Sequence, residues 1–420
     1  MPFSQSGYAP VPHVGGGLWC PVAFDPFCAQ YLDDPYTMVP ELLEAAGPRY
    51  WTEGDLWLVA RYDQVEAVFD DAETYSAAVA HAPLTPIHED AARILAEGFR
   101  PLRTMSDLDG PEHSRIRGHN QIGLSGPRLL AMGPIVRRRA VELIADFPAG
   151  EFDLVERFSR PLPTSTTFTL LGFPADDAVT LEAWGGNRMA VGWGRPTRDQ
   201  QVNSAHDMVA YFRYCQRHVE RNLNNPGDDL TGDLIRIHLS DPSTLSMLEI
   251  THIVFGLSFA GHEATKNLIS NMVRRLLEDR AMWTAVVDRP SLVPAVVDEI
   301  IRYDPGLVSW RRVTTRETTL GDTTLPAGAK LLLLLGVANR DPDRFEHPDW
   351  FDPTRSNATD ALSFGKGKHH CLGAPLAKTV AVIALEELAA RCPDLELVAQ
   401  DLRFDPNLAF RGPVALLVRN

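Results

Sequence analysis

The stretch that decides the fold lies near the C-terminus and reads Phe364-Gly365-Lys366-Gly367-Lys368-His369-His370-Cys371-Leu372-Gly373. Gly365 and Gly367 suit a backbone that turns sharply, because glycine adopts positive φ angles without strain. An alanine-rich helical pattern follows Gly373 and runs to about Arg391. Cys371 should therefore lie just before a helix N-terminus, where unpaired amides and the helix dipole favour a thiolate. Such a thiolate is suited to be an axial ligand of iron.

Three interpretations of this stretch are open. The first is an ordinary glycine-rich turn with a buried cysteine. The second is a zinc site made by His369, His370 and Cys371, although adjacent side chains diverge and no Cys-x-x-Cys pair supports it. The third is a haem ligand, because the stretch resembles the cysteine loop of the cytochrome P450 family. The residues that carry this resemblance are Phe364, Gly365, Gly367, His369, Cys371 and Gly373.

Composition and charge limit the class of protein. The chain has 420 residues, 45% hydrophobic and 23% charged, as in a soluble globular protein with a large core. A formal net charge of −15 argues against nucleic acid and anionic membranes as partners. The longest strongly apolar run, 331–338, is too short to span a membrane, and the first residues do not resemble a secretory signal. Five scattered cysteines favour a reducing, cytoplasmic setting.

A basic cluster stands out against this acidic background. It consists of Lys366, Lys368, His369 and His370. It is either a solvated loop or a docking patch for an acidic redox protein, whose encounter with the chain it would accelerate.

A second motif begins at Asp109-Gly110-Pro111, which predicts a turn leading into a helix. His113 and Arg117 stand four residues apart, so both project from one helical face. Two such groups can hold a carboxylate, although a plain solvated helix is the alternative. Pro111, His113 and Arg117 resemble the helix that binds a haem propionate in the P450 family.

A long helix is predicted from the capping box of Ser246 and Glu249 to about Leu277. At 1.5 Å per residue it would measure about 45 Å. Its apolar middle contains Gly256 and Gly261, which are unfavourable within a helix. They either allow close helix packing or, as we favour, let a flat ligand lie against the backbone.

The segment Ala260-Gly261-His262-Glu263-Ala264-Thr265 resembles the oxygen-activation motif of the P450 family. In that family an acid is followed by threonine, whose hydroxyl helps to deliver protons to dioxygen. Glu263 matches the acid, but Ala264 occupies the threonine position and Thr265 comes one residue late. One residue rotates a helical side chain by about 100°, so Thr265 cannot simply replace the missing alcohol.

Arginines complete the family pattern. Glu299 and Arg302 can pair on one helical face, and Arg355 resembles the third member of the family's buried Glu-Arg-Arg network. Arg312, in a segment with the alternation of strands, matches the family's second propionate-binding arginine. The preceding Arg311 could face the substrate pocket or solvent. Several arginines could anchor an acidic substrate, but we predict each to be exposed: Arg103, Arg188, Arg195 and Arg311.

Two irregular regions remain. Residues 76–108 lack a clean period, which is typical of a functional or poorly ordered connection. Residues 181–198 combine tryptophans with glycines, so the tryptophans either cover an apolar ligand or pack on the core. Segments 78–105 and 181–198, with 307–310 and Phe410, are expected to shape an apolar pocket.

The resemblance implies one mainly α-helical domain with a minor β region, 31–420, preceded by an irregular arm, 1–30. It implies haem b with Cys371 as its iron ligand, and a monooxygenase that inserts one oxygen atom of dioxygen into a small, largely apolar substrate. The cofactor-binding residues would be His113, Arg117, Ala260, Gly261, Arg312, Phe364, Gly365, His369, Cys371 and Gly373, with His113, Arg117, Arg312 and His369 at the propionates. Glu263, Ala264 and Thr265 would lie at the oxygen site.

Partners and alternatives follow from the same resemblance. Electrons would come from a ferredoxin and its reductase, docking near Lys366 and Lys368. Because Ala264 replaces the usual threonine, peroxide-driven oxidation, coupling or rearrangement is the enzymatic alternative. A haem sensor or carrier is the non-enzymatic one.

Overall fold

The computed structural model describes residues 25–36, 40–124, 126–185 and 188–420. Its helices are α1 (Ala29–Asp33), α2 (Pro40–Glu44), α3 (Tyr62–Asp70), α4 (Glu89–Gly98), α5 (Gly110–Gly123), α6 (Gly126–Ala145), α7 (Pro161–Leu171), α8 (Ala178–Gly185), α9 (Arg188–Trp193), α10 (Arg198–Asn222), α11 (Leu230–Ser240), α12 (Met247–Ala260), α13 (Glu263–Glu278), α14 (Arg280–Asp288), α15 (Val293–Tyr303), α16 (Leu335–Ala338) and α17 (Ala374–Arg391). Its strands are β1 (Arg49–Trp51), β2 (Leu56–Val59), β3 (Tyr75–Ser76), β4 (Glu151–Asp153), β5 (Trp310–Thr314), β6 (Thr318–Leu320), β7 (Thr323–Leu325), β8 (Lys330–Leu333), β9 (Glu396–Leu397) and β10 (Leu417–Arg419).

The strands form small sheets beside the helices. The largest sheet has the order β1-β2-β8-β5-β3, in which β2 and β8 are parallel and the other pairs antiparallel. Strands β4, β10 and β9 form a second sheet, and β6 and β7 a hairpin. This architecture confirms the predicted mainly α-helical fold with a minor β region.

Several predicted boundaries are confirmed. Helix α12 begins at the capping box, in which the Ser246 hydroxyl accepts the Glu249 amide and the Glu249 carboxylate accepts the Ser246 amide. Helix α15 ends at Asp304, which precedes proline, and α17 ends at Arg391. No helix of the described residues is long and apolar enough to cross a membrane.

The predicted single helix from Ser246 to Leu277 is wrong, because the chain forms α12 and α13 with a break at Gly261 and His262. Within the break, the Thr265 hydroxyl donates to the Gly261 carbonyl at 3.2 Å. Threonine hydroxyls that bond to a carbonyl four residues back commonly bend helices. A tertiary contact adds to this effect, since a Cβ on Gly261 would lie 2.4 Å from the Thr167 Oγ1 of α7.

The two irregular regions are more ordered than predicted. Helix α4 lies within 76–108 and packs its apolar face on α10. In the second region Trp193 is only 2% exposed and packs in a core cluster, so the interpretation that the tryptophans pack on the core is correct for it. Of the predicted N-terminal arm, residues 1–24 lie outside the described residues, and α1 begins at Ala29.

Buried ion pairs connect the helices behind the sheet. Glu299 and Arg302 are both fully buried and are joined at 2.6 Å, while Arg355 lies 3.4 Å from Glu299. The predicted Glu-Arg-Arg network is confirmed. Arg302 also donates to the carbonyls of Asn339 and Trp350, so this network fixes the chain that leads to the cysteine loop.

A second buried cluster surrounds Asp304, the residue that ends α15. Its carboxylate lies 2.5 Å from Arg274, 2.9 Å from Arg275 and 3.4 Å from Arg411. Tyr36 donates to it at 3.3 Å. Burial raises the pKa of Asp304, but the surrounding arginines outweigh this effect and hold the pKa far below its ordinary value.

Replacing Asp304 with asparagine should destabilise the fold, because three arginines lose the carboxylate that neutralises them. Removing one partner of a buried ion pair costs about 3–5 kcal/mol, which a lower midpoint of urea unfolding would report. Asp199→Asn is the control, since Asp199 is exposed and pairs with Arg198 at 3.0 Å on the surface. Equal midpoints for the two variants would contradict the role of the Asp304 cluster.

The same cluster predicts sensitivity to acid. Because the pKa of Asp304 is lower in the folded chain, its stabilisation is complete above the unfolded-state pKa of about 3.9 and is lost as the pH falls below that value. Unfolding midpoints measured from pH 7 to pH 3 should therefore converge for wild type and Asp304→Asn. A constant difference over this range would contradict the prediction.

Candidate active site

The cysteine loop is a closed turn that precedes α17. Gly365 and Gly367 have φ angles of 66° and 65°, as the sequence predicted. The Cys371 amide donates to the Phe364 carbonyl at 2.8 Å and closes the turn. A Cβ on Gly367 would lie 2.8 Å from the Phe69 carbonyl of α3, so both its φ and its packing require glycine.

The loop is anchored from the side of α15. Ser363 donates to the Ile301 carbonyl at 2.6 Å and accepts from the Asn339 amide group at 2.7 Å. Asn339 in turn accepts the Leu362 amide at 2.7 Å. Sequence reasoning missed Ser363 and Asn339, because ordinary polar residues carry no signal of such a distant contact.

The Cys371 thiol is solvent-accessible, but it sits in a concave part of the chain. Burial by the surrounding atoms raises the pKa of this thiol. The amides of Gly373 and Ala374 donate to the sulfur. These hydrogen bonds and the charge of Arg117 lower the pKa, but by less than burial raises it. The two amides lie at the N-terminus of α17, where the sequence predicted unpaired amides beside the cysteine.

Beside the cysteine, α5 faces the loop. The His113 ring is 2% exposed and stacks on His369 with 4.1 Å between ring centroids. Arg117, one turn further along α5, donates to the His370 carbonyl at 2.8 Å. His113 and Arg117 therefore share one helical face, as predicted.

Arg312 approaches the same cluster from β5. It is 2% exposed and its guanidinium lies 5.3 Å from the centre of the Phe69 ring. Burial, together with the charges of Arg312 and His113, lowers the pKa of His369 to about 3, and burial lowers the pKa of His113.

Asp109 connects this cluster to the sheet. Its carboxylate lies 3.8 Å from His369 and accepts a hydrogen bond from the Ser76 hydroxyl of β3. The only sequence signal for these contacts of Asp109 was its position before Gly110-Pro111.

The break between α12 and α13 carries the residues predicted at the oxygen site. Glu263 is half-buried and pairs with Lys266 at 2.6 Å. Burial raises the pKa of Glu263, but Lys266 outweighs this effect and the pKa is below its ordinary value. Thr265 is buried with its hydroxyl on the Gly261 carbonyl. Gly306 packs closely against the carbonyl group of Ala264. A Cβ on Gly306 would lie only 2.1 Å from the Ala264 oxygen, so this contact requires glycine.

One prediction about this helix needs correction. Gly261 faces Thr167, so its missing side chain serves close helix packing, the alternative that we did not favour. For Gly256, by contrast, a Cβ would meet no atom within 4 Å. Ala260 is exposed and ends α12 directly before the break.

The basic cluster is partly neutralised. Lys366 lies 2.6 Å from Glu66 and 3.4 Å from Asp70, both on α3. The spacing of the sequence could not reveal these partners. Lys368 is exposed and forms no ion pair with any described residue.

The residues present fit a haem better than a zinc ion. The Nε2 atom of His113 is buried without a hydrogen-bond partner among the described residues, as expected for a group that awaits an acceptor. Arg312 forms no ion pair with a described carboxylate, although the charge of Asp109 acts on it, and haem carries two propionates. No group of three or more potential metal-ligating side chains occurs in the described part of the chain, which argues against the zinc interpretation.

Comparisons with known proteins agree with this fit. A family described as Cytochrome P450 matches residues 197–391. The chain is 34% identical to the erythromycin C-12 hydroxylase of Saccharopolyspora erythraea over 83% of this chain and 85% of that protein. It is 33% identical to the 6-deoxyerythronolide B hydroxylase of the same organism over 92% of this chain and 96% of that protein.

A solved structure shows the same fold. Cytochrome P450 CREJ in complex with (4-ethylphenyl) dihydrogen phosphate superposes with a TM-score of 0.90 at 36% identity, covering 94% of this chain and 98% of that one. With relatives more than 30% identical over most of its length, the chain belongs to the cytochrome P450 family and is a monooxygenase whose cofactor is haem b.

Proposed function

We propose that this monooxygenase inserts one oxygen atom of dioxygen into a small, largely apolar substrate, by hydroxylation, demethylation or a related oxidation. The observation that carries the proposal is the cysteine loop, in which two amides donate to the Cys371 sulfur and the buried His113 Nε2 beside the loop has no hydrogen-bond partner among the described residues. Both relatives named above are hydroxylases, which supports oxygen insertion.

The first task of the chain is to hold the cofactor. Haem, when bound, supplies the activation of dioxygen, which a thiolate ligand promotes. We assign Cys371 as the iron ligand, with the amides of Gly373 and Ala374 supporting the sulfur. His113, Arg312, Arg117 and His369 would bind the propionates. Phe364, Gly365 and Ala260 would border the macrocycle, whereas Gly261 faces Thr167 and is not assigned to it.

The second task is to supply protons that the reduction of dioxygen consumes. Glu263 is ionised and held by Lys266 beside the helix break, which suits a proton relay through water. Thr265 is one residue late for the usual role, but its hydroxyl is held on the carbonyl of Gly261 within the break. The distortion of the helix therefore supports Thr265 as the alcohol of this relay, with Ala264 leaving room for the substrate.

The third task is to receive electrons. We propose a ferredoxin and its reductase as donors, docking on the surface that contains Lys366 and Lys368. Lys368 is the stronger candidate for this contact, since Lys366 is already paired with two carboxylates of α3. An acidic donor would be attracted by the unpaired cation.

A second candidate function rests on Ala264. Without an alcohol at that position, the site could use peroxide, or carry out coupling or rearrangement. Incubation with ferredoxin, reductase, NADH and ¹⁸O-labelled dioxygen separates the two candidates, using substrates found by displacement of water from ferric iron. One labelled oxygen in the product supports the proposal, whereas product only with peroxide favours the second candidate.

Arg312→Met should weaken haem retention, because the propionate proposed to neutralise Arg312 loses its buried partner. Charged hydrogen bonds contribute about 1.5–3 kcal/mol, so transfer of haem to excess apomyoglobin should accelerate about 10- to 150-fold. Arg316→Met is the matched control, since Arg316 is exposed four residues further along the chain. Equal transfer rates for the two variants would contradict the assignment of Arg312.

Thr265→Val should increase the release of peroxide per NADH consumed, because the variant keeps the shape of threonine but loses its hydroxyl. Loss of one hydrogen bond of about 0.5–1.5 kcal/mol corresponds to about a two- to tenfold change. Thr265→Ser should restore wild-type coupling. Ala264→Thr should also improve coupling. Unchanged peroxide release in Thr265→Val would remove Thr265 from the relay, and a lower turnover of Ala264→Thr would show that the pocket depends on alanine.

A further inference from the structure

Strand β5 carries two consecutive buried arginines. Arg311 is 3% exposed and Arg312 is 2% exposed. Neighbouring residues of a strand point to opposite faces of the sheet, so the two guanidinium groups leave β5 in opposite directions. Arg312 lies over the ring of Phe69, whereas Arg311 lies over Trp193 with 3.8 Å to the ring centroid.

The other buried arginines of this fold are paired with carboxylates at 2.5 to 3.4 Å. They are Arg274, Arg302, Arg340 and Arg411. Neither Arg311 nor Arg312 forms an ion pair with a described residue. The residues outside the described ranges contain no aspartate or glutamate, so this chain has no further acidic side chain to offer.

A buried charge without a counter-charge is unfavourable, which is why such groups are normally paired. Burial lowers the pKa of Arg311 to about 9 and that of Arg312 to about 10, so both stay cationic at neutral pH. For Arg312, a haem propionate is the proposed missing anion. By the same reasoning, a second anion on the opposite face of β5 would stabilise Arg311.

The contacts of Arg311 connect two segments predicted to shape the pocket. Its Nη1 donates to the carbonyl of Ala82 and its Nη2 to that of Gly192 at 2.8 Å. Arginine has five N–H donors, and Nε is buried without a partner among the described residues. The backbone of Gly192 borders open space in the described part of the chain, since a Cβ on this glycine would meet no described atom within 4 Å.

We propose that Arg311 binds an anionic group of the substrate, either a carboxylate or a phosphate monoester. The inference rests on the proposed function and narrows its substrate class to molecules with an apolar body and one acidic end. A planar anion can accept two parallel N–H bonds from the guanidinium through its free donors. Arg311 is therefore a specificity-determining residue.

The competing explanation is that Arg311 only ties residue Ala82 to residue Gly192. A purely structural tie would affect every ligand of the pocket alike. An anion site affects acidic ligands selectively. The ratio of affinities for matched acidic and neutral ligands separates the two explanations.

The experiment measures dissociation constants by isothermal titration calorimetry on the haem-loaded protein. The probes are decanoate, decyl phosphate and decan-1-ol, with 4-ethylbenzoate and 4-ethylbenzyl alcohol as an aromatic pair. Wild type should bind an anion of at least one series about tenfold or more tightly than the matched alcohol, as expected for a charged hydrogen bond. Whether decanoate or decyl phosphate binds more tightly identifies the acidic group. In Arg311→Gln the preference should disappear, and Arg311→Lys should restore it in part.

Arg236→Gln is the control, because Arg236 also donates to two backbone carbonyls, Pro226 and Gly227, but is exposed and paired with Asp233 at 2.8 Å. It should keep the wild-type ratio. The proposal is overturned if wild type binds no anion or shows no preference for one, or if Arg311→Gln weakens acid and alcohol equally. The wild-type ratio is informative even if a variant fails to fold. The carbon monoxide spectrum of each reduced protein tests haem–thiolate ligation separately, so failure of the proposed function would be recognised there.

Discussion

The fold depends on one constraint, which is that the turn from Phe364 to Cys371 must be closed and held rigid. The Cys371 amide closes it on the Phe364 carbonyl, and two glycines with positive φ make that geometry possible. Ser363 and Asn339 then tie the turn to α15, whose own Glu-Arg-Arg network is fully buried. The ion pairs behind the sheet thus act on the cysteine through a chain of hydrogen bonds, and α17 supplies the amides that reach its sulfur.

Buried polar groups without a complete set of partners among the described residues characterise the region around this turn. His113 has a buried nitrogen without a partner, and β5 places one buried arginine on each of its faces. Burying such groups without partners costs folding free energy. They are expected at binding sites, where a ligand supplies the missing anion. Elsewhere the same chain pairs its buried arginines, as around Asp304. This contrast within one molecule is the basis of our proposal that these positions bind anions.

Local sequence patterns predicted the parts of the structure that depend on neighbouring residues. The cysteine loop, the capping box of α12 and the end of α15 at Asp304 all followed from glycine, capping and proline chemistry. The break at Gly261 did not, because it involves a contact with Thr167 almost a hundred residues away. The pairing of Lys366 with Glu66 and the burial of Arg311 are long-range contacts of the same kind, which spacing alone does not encode.

The most direct test of the account is the absorption spectrum of the reduced, carbon monoxide-treated protein and of its Cys371→Ser variant. Cys392→Ser is the control, since Cys392 is buried at the end of α17 away from the loop. The account predicts the red-shifted band of a haem-thiolate protein in wild type and Cys392→Ser, and its loss in Cys371→Ser. A Cys371→Ser variant that retains this band would contradict the assignment of Cys371 as the iron ligand.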